Sequence, residues 1–242
     1  MINDYQVQQI VLLGGQGYVG SAVKRLLKSL DIKYSALSPF KTLDESSLEI
    51  LDLEKSLIVI NCLGSVDKMN ENLQEFNVDS VSKILLLFRE FRFHLIHMSS
   101  TKVEDNQDSS EYAKTKRRSE EIIGTFFSER PEAIRFLRLP SLWSRDQLQE
   151  KSLLAQLTSQ SQHDLNGLIK NPEAQVKICS EKSFHSHLEK IFYGPDVLQI
   201  SSPEISWGGT VEALVKRLEE GSAPVDLQEI FNHWLLQKSI SV

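Results

Sequence analysis

Val11-Leu12-Leu13-Gly14-Gly15-Gln16-Gly17-Tyr18-Val19-Gly20 is an apolar run that breaks into glycines and then resumes at a different spacing. Gln9 to Leu13, mostly apolar and closed by glycine, predicts a buried strand. From Tyr18 to Leu30, Val19, Val23, Leu26, Leu27 and Leu30 recur at helical spacing. Between strand and helix, Gly14 lets the chain turn sharply. Gly17 removes a side chain where backbone approaches a pyrophosphate, and Gly20 lets helix and strand pack closely. The helix start adds N–H groups and a partial positive charge. The stretch therefore predicts a dinucleotide-binding turn, with Gly14, Gly17, Tyr18, Val19 and Gly20 as its contact residues.

Strand and helix patterns alternate downstream. Ile32 to Leu37 predicts a second strand, closed by Ser38-Pro39, and a short helix is expected over Ser46 to Lys55. Leu57 to Cys62 is almost wholly apolar, as in a parallel strand covered on both faces. Asn77 to Phe91 predicts a helix, His94 to Met98 a strand, Tyr112 to Phe127 a helix stopped before Pro131, and Ala133 to Leu137 a strand. This alternation implies an α/β protein with an open, doubly wound parallel sheet and ligands at the carboxyl ends of its strands. After Pro140 the pattern loosens. Helices are expected near Leu153 to Ile169, Thr210 to Glu219 and Leu227 to Leu236, and strands over Gln175 to Cys179 and Val197 to Ser201. The expected organisation is a nucleotide-binding domain over 1–140 and, over 141–242, a small mixed substrate lobe that also supplies the last sheet elements.

The bulk composition bounds the function. In 242 residues, 40% hydrophobic, there is ample material for a core, and a net charge of -6 leaves no basic excess for nucleic acid. Cys62 and Cys179 do not make a disulfide framework, which suits a reducing compartment. No signal-peptide pattern opens the sequence and no apolar run is long enough for a bilayer, so a cytoplasmic protein is expected. His185 and His187 lack the further ligands that a metal site needs, so no metal is expected. Trp143, Trp207 and Trp234 are read as core or lobe-packing residues.

A second motif carries chemistry. Ser99-Ser100-Thr101 closes the strand before the Tyr112 helix, and Tyr112 and Lys116 stand four apart on one face of that helix. A neighbouring ammonium favours the phenolate, so Lys116 is expected to lower the pKa of Tyr112. The phenol can then exchange a proton with a carbonyl oxygen while a hydride moves at the carbon, and the Ser100 hydroxyl holds the same oxygen. Glu120 and Glu121 are expected to pair with Arg117 or Lys116. The second strand ends without a carboxylate for a ribose 2′-hydroxyl. Ser38 and Lys41 stand there instead, with Lys41 suited to a 2′-phosphate, so NADP is preferred over NAD.

Together the Gly14/Gly17/Gly20 spacing, the serine-ended strand and the Tyr112/Lys116 pair resemble the extended short-chain dehydrogenase/reductases. The likeness is closer to the branch around dTDP-4-dehydrorhamnose reductase. Leu43-Asp44, Val59-Ile60-Asn61-Cys62, Val66-Asp67-Lys68, Asn77-Val78 and Arg138-Leu139-Pro140-Ser141-Leu142-Trp143 look like segments of that branch. The resemblance covers about residues 9 to 143 and implies a Rossmann fold, NADP(H) or NAD(H), and a nucleotide-sugar substrate. Carried over, it implies that Ser100, Tyr112 and Lys116 are catalytic and that Asp44 sits by the adenine. It further implies that Cys62, Leu63 and Gly64 line the middle of the cofactor and Pro140 its nicotinamide side. It also implies a homodimer through the helix that includes Tyr112 to Phe127. The short Thr101 to Glu111 connection looks like that of bacterial reductases of capsular N-acetyl-L-fucosamine synthesis. The acidic pair usual after a late strand would fall near Phe184-His185-Ser186-His187, where no carboxylate stands.

The sequence thus favours an NAD(P)H-dependent reductase of a keto-sugar nucleotide in deoxysugar or surface-polysaccharide synthesis. One alternative is a nucleotide-sugar epimerase or dehydratase that recycles tightly bound NAD. The other is a non-catalytic cofactor-binding regulatory subunit.

Overall fold

Residues 9–37, 44–52, 55–66, 72–148, 152–158, 171–193 and 199–240 are described by a computed structural model. Strand β1 (Gln9–Leu13) is flanked by β2 (Ser35–Leu37) and β3 (Leu57–Asn61), both parallel to it, with Val11 opposite Ser35 and Val59. Beyond β3 lie β4 (Phe93–Ser100), β5 (Ile134–Leu139) and, later in the chain, β8 (Ile200–Ser201). Among the described residues the sheet order is β2-β1-β3-β4-β5-β8, all parallel. The order reverses direction between β1 and β3, and ligands of such sheets bind beyond the carboxyl ends at that point.

Helix α1 (Tyr18–Ser29) buries Gly20, Ala22, Val23, Leu26 and Leu27, the stripe that its 3.6-residue period dictates. It ends in a left-handed residue, Asp31 (φ 53°), whose conformation lets the Ile32 amide donate to the Leu27 carbonyl at 2.9 Å. The expected Asn77 to Phe91 helix is two elements. One π-helical turn (Glu75–Asp79) leads into α2 (Ser80–Leu87). Helix α3 (Glu111–Phe126) is capped by Ser110, whose Oγ accepts from the Ala113 amide at 3.3 Å. One core cluster joins β1, β3, β4 and β5 to these helices through residues such as Leu57, Val81, Phe88, Phe93, Ile123 and Phe127, and Phe93 meets Phe127 edge-on at 5.2 Å.

The chain forms two compact units. The first is 1–139 with 188–202, and the second is 140–187 with 203–242. In the second unit β6 (Ser141–Trp143) pairs parallel with β7 (Gln175–Ser180), and β9 (Trp207–Thr210) lies antiparallel on the other side of β7. Helices α4 (Leu153–Thr158), α5 (Glu181–Tyr193), α6 (Val211–Glu219) and α7 (Val225–Ile240) complete the later part of the chain. Trp143 is fully buried among Leu154, Ile178, Leu214 and Leu227, and Trp207 and Trp234 pack against the same cluster. The Trp234 indole donates to the Ser144 carbonyl at 2.8 Å.

Candidate active site

Three short segments meet at the carboxyl edge of β1, β3 and β4. At the first, Gly14 has φ +73°, and a Cβ there would lie 2.9 Å from both the Cys62 carbonyl carbon and the Leu63 nitrogen. Only glycine serves, because the conformation is left-handed and the turn rides on the Cys62–Leu63 peptide. A Cβ on Gly20 would lie 2.1 Å from the Gly14 carbonyl oxygen, so α1 packs against the turn through bare backbone. Gly17 differs. A Cβ there would meet only the Gly14 oxygen, at an ordinary 3.4 Å, and its φ of -74° suits any residue. The protein's own packing therefore does not require glycine at 17. Gly17 is also the N-cap of α1, and no side chain caps that helix. A bare, uncapped helix start fits a phosphate. Tyr18 and Val19 open α1 half-buried.

The second segment follows β3. Asn61 is buried, and its Oδ1 accepts from the Leu63 amide at 3.0 Å. Gly64 has φ +153°, and a Cβ there would come within 2.9 Å of Asn77 Oδ1 and 3.0 Å of Lys116 Nζ. Burial pushes the Cys62 thiol up to about 12, opposed by the Lys116 charge.

The third segment is the end of β4 with α3. Ser100 caps a single 3₁₀ turn (Thr101–Val103), its Oγ accepting from the Lys102 amide at 3.2 Å. The Ser100 side chain also lies by the Tyr112 phenol. Lys116 is 5% exposed, and its Nζ donates to the Met98 carbonyl at 3.0 Å. Burial depresses its pKa to about 8, with Cys62 and Glu120 opposing. The expectation that Lys116 lowers the pKa of Tyr112 is not met. Burial raises the phenol, and the nearby Ser100 side chain opposes the rise.

Asn77, in the π turn, ties the second segment to the third. Its Oδ1 accepts from the Ser65 amide at 2.9 Å. Its Nδ2 donates to the Ser65 carbonyl at 3.0 Å and to Thr115 Oγ1 at 3.1 Å. The Ser119 hydroxyl donates to the Asn77 carbonyl. The short connection before α3 is held by Arg117, whose guanidinium donates to the carbonyls of Asp105 and Asp108.

The structure thus brings together Ser100, Tyr112, Lys116, Cys62, Leu63, Gly64 and, through the Cys62–Leu63 peptide, Gly14. Asp44 caps a local turn. That carboxylate is exposed and occupied locally, accepting from Ser46 Oγ at 2.6 Å and the Ser47 amide at 3.2 Å as the cap of the 3₁₀ turn Glu45–Leu48. Ser38 and Lys41 lie outside the described residues, as do Asp67 and Lys68. Pro140 is buried between β5 and β6.

One charge pairing differs from expectation. Glu120 does not pair with Arg117 or Lys116 but takes a bidentate Arg138, Nε at 3.1 Å and Nη2 at 2.7 Å, and accepts from Ser99 Oγ at 2.5 Å. Arg138 came from the next strand, a long-range contact that helix spacing cannot reveal. The late strand β7 ends at Ser180, and the next residue is Glu181, so a carboxylate does follow it. Glu181 accepts from the Ser144 hydroxyl and lies 3.4 Å from His185 Nε2.

Comparison with protein-family models found no match, and comparison with curated proteins found none either. Solved structures do match. UDP-glucuronic acid 4-epimerase from Bacillus cereus, in complex with a fluorinated UDP-glucuronic acid and NAD, is 13% identical with a TM-score of 0.70, over 89% of this chain and 84% of that one. dTDP-glucose 4,6-dehydratase from Bacillus anthracis, in complex with NAD, is 14% identical with a TM-score of 0.68, over 91% and 83%. L-threonine dehydrogenase from Phytophthora infestans is 12% identical with a TM-score of 0.71, over 97% and 100%. At such identities the likeness speaks for architecture, and the chain has the fold that these epimerase, dehydratase and dehydrogenase structures share.

Proposed function

We propose that this chain is an NAD-dependent enzyme of the extended short-chain dehydrogenase/reductase type, acting on a nucleotide sugar in the manner of an epimerase or dehydratase. The observation that carries the reading is the contiguity of Gly14, the Cys62–Gly64 segment and Lys116 at one sheet edge, with Tyr112 and Ser100 together on the α3 and β4 side. The likeness in fold to NAD-bound nucleotide-sugar epimerase and dehydratase structures supports this cofactor and substrate class over the NADPH-dependent reduction favoured by sequence.

Gly14, Gly17 and Gly20 give the dinucleotide's pyrophosphate close access to the start of α1, and Cys62, Leu63 and Gly64 take its middle. Bound NAD would supply a hydride acceptor. Lys116, held on the Met98 carbonyl and beside Gly64, presents its N–H groups to the ribose side. Ser100 holds the sugar oxygen, and Tyr112 exchanges that oxygen's proton as its carbon is oxidised or reduced. A reductase remains the second reading because burial keeps the Tyr112 proton in place, which is the state that reduction of a carbonyl needs.

The test is product analysis by NMR after incubation with UDP- and dTDP-hexoses, their 4-keto derivatives, and NAD or NADPH. An epimerised or dehydrated sugar without net cofactor consumption is the expected result. Stoichiometric NADPH oxidation with a keto sugar would replace it with the reductase. No turnover, with dinucleotide still bound, would leave the regulatory-subunit reading.

A further inference from the structure

His97 takes no part in the chemistry above, yet it is 1% exposed in the middle of β4, directly across from Asn61 of β3 in the ladder. Its Nδ1 lies 3.0 Å from Asn61 Nδ2. The roles in this pair are fixed by a neighbour. A backbone amide only donates, so the Asn61 atom facing the Leu63 N–H is its oxygen. The other end of Asn61 is then an NH2 group, which only donates, and His97 Nδ1 must accept. The His97 proton accordingly sits on Nε2, which is buried without a hydrogen-bond partner among the described residues and faces a core that includes the edge-on Phe136 ring. A buried donor left unpaired costs the free energy of its lost hydration. Leucine would fill the place without that cost, so what the position supplies is the Nδ1 lone pair. Burial, with the Lys116 charge nearby, holds the imidazole pKa well below its ordinary value and keeps that lone pair available.

We propose that His97 is a positioning residue for dinucleotide binding. Its Nδ1 anchors the NH2 end of the Asn61 amide, Asn61 holds the Leu63 peptide, and that peptide is the seat of the Gly14 turn. Each link is a contact already described: His97 to Asn61, Asn61 to the Leu63 amide, and the Cys62–Leu63 peptide against Gly14. Without the acceptor at 97, the buried Asn61 NH2 group loses its partner, the side chain is held at its oxygen end alone, and the seat loosens. The proposal rests on the dinucleotide-binding reading and adds to it a determinant that never touches the ligand.

Two variants isolate the lone pair. In His97→Asn the side-chain Oδ1 takes the place of Nδ1, and in His97→Leu a side chain of the same size has no acceptor. Both lose Nε2. Amide hydrogen exchange at Leu63 and calorimetric titration with NAD are read on each, with circular dichroism to check folding. His97→Asn is expected to keep Leu63 protection and NAD affinity within about threefold, and His97→Leu to lose about tenfold in each. Asn61→Leu, an independent route to the same lesion, is expected to repeat the His97→Leu loss of NAD affinity. Unchanged exchange and affinity in His97→Leu, equal losses in His97→Asn and His97→Leu, or normal affinity in Asn61→Leu would overturn the proposal. If the wild-type chain binds no dinucleotide, the functional reading fails, and the Leu63 exchange rates alone still decide whether His97 holds that peptide.

Discussion

Lys116 meets two conflicting demands. It is buried, which penalises its charge, and its place beside Gly64 and the Met98 carbonyl requires a donor. Its pKa of about 8 lies below the ordinary lysine value of 10.5, so at neutral pH folding carries the full penalty of a buried ammonium. Lys116→Met is therefore expected to stabilise the fold by about 1–3 kcal/mol at pH 7, even after loss of the Met98 hydrogen bond, while turnover collapses. The sign follows from the order of the two pKa values. Below about 8 the lysine is charged in both folded and unfolded chains, and the penalty is complete. Between about 8 and 10.5 the folded chain sheds its proton first, so wild-type stability rises with pH and the advantage of Lys116→Met fades. Urea unfolding of both proteins at pH 7 and pH 10 measures this, and a gap that does not narrow would contradict the buried-charge account. Tyr112→Phe removes the phenolic hydroxyl and with it the exchangeable proton. Turnover is expected to fall roughly 10²–10⁴-fold while NAD affinity stays within about threefold, read by product formation and calorimetry. Retained turnover would take the proton step away from Tyr112.

At the scale of elements, the strand–turn–helix unit is where sequence and structure agree most closely, because Gly14 and Gly20 each have a local cause. Gly20 is the sharpest case. Gly20→Ala would drive a Cβ to 2.1 Å from the Gly14 oxygen, so α1 must move away from the turn, at a cost of about 2–4 kcal/mol and with loss of dinucleotide binding. Thermal unfolding with and without NAD checks both effects, and wild-type behaviour would mean that the turn relaxes freely. The elements missed by periodicity have identifiable reasons. In α5, Phe184, Leu188, Ile191 and Phe192 do recur at helical spacing, but the charged and histidine residues between them hide the stripe. The Trp207–Thr210 strand contains two glycines and reads as a turn, and it exists because β7 supplies its ladder partners. The π turn at Glu75–Asp79 is invisible to any 3.6-residue template, since its extra residue is stabilised by the Ser65, Thr115 and Ser119 contacts of Asn77.

For the whole molecule, the doubly wound parallel sheet was legible because alternating buried strands and amphipathic helices admit few topologies. The proposed site was legible where chemistry follows chain spacing, as with Gly14, Gly17, Gly20, Tyr112 and Lys116. It was not legible where residues far apart in sequence are joined by the fold, as with His97 and Asn61 or Glu120 and Arg138. The second unit shows the same limit, since its small sheet draws β6, β7 and β9 from separated stretches that the loose pattern after Pro140 did not connect. No helix of the described residues is long and apolar enough to cross a membrane. The claim that most depends on the whole arrangement is that this chain holds NAD at the glycine turn. Calorimetric titration of the purified chain with NAD and with NADPH, after assay of any dinucleotide released on denaturation, tests it most directly. The account predicts bound NAD or saturable NAD binding that exceeds NADPH binding. Absence of both, or binding of NADPH alone, would contradict it.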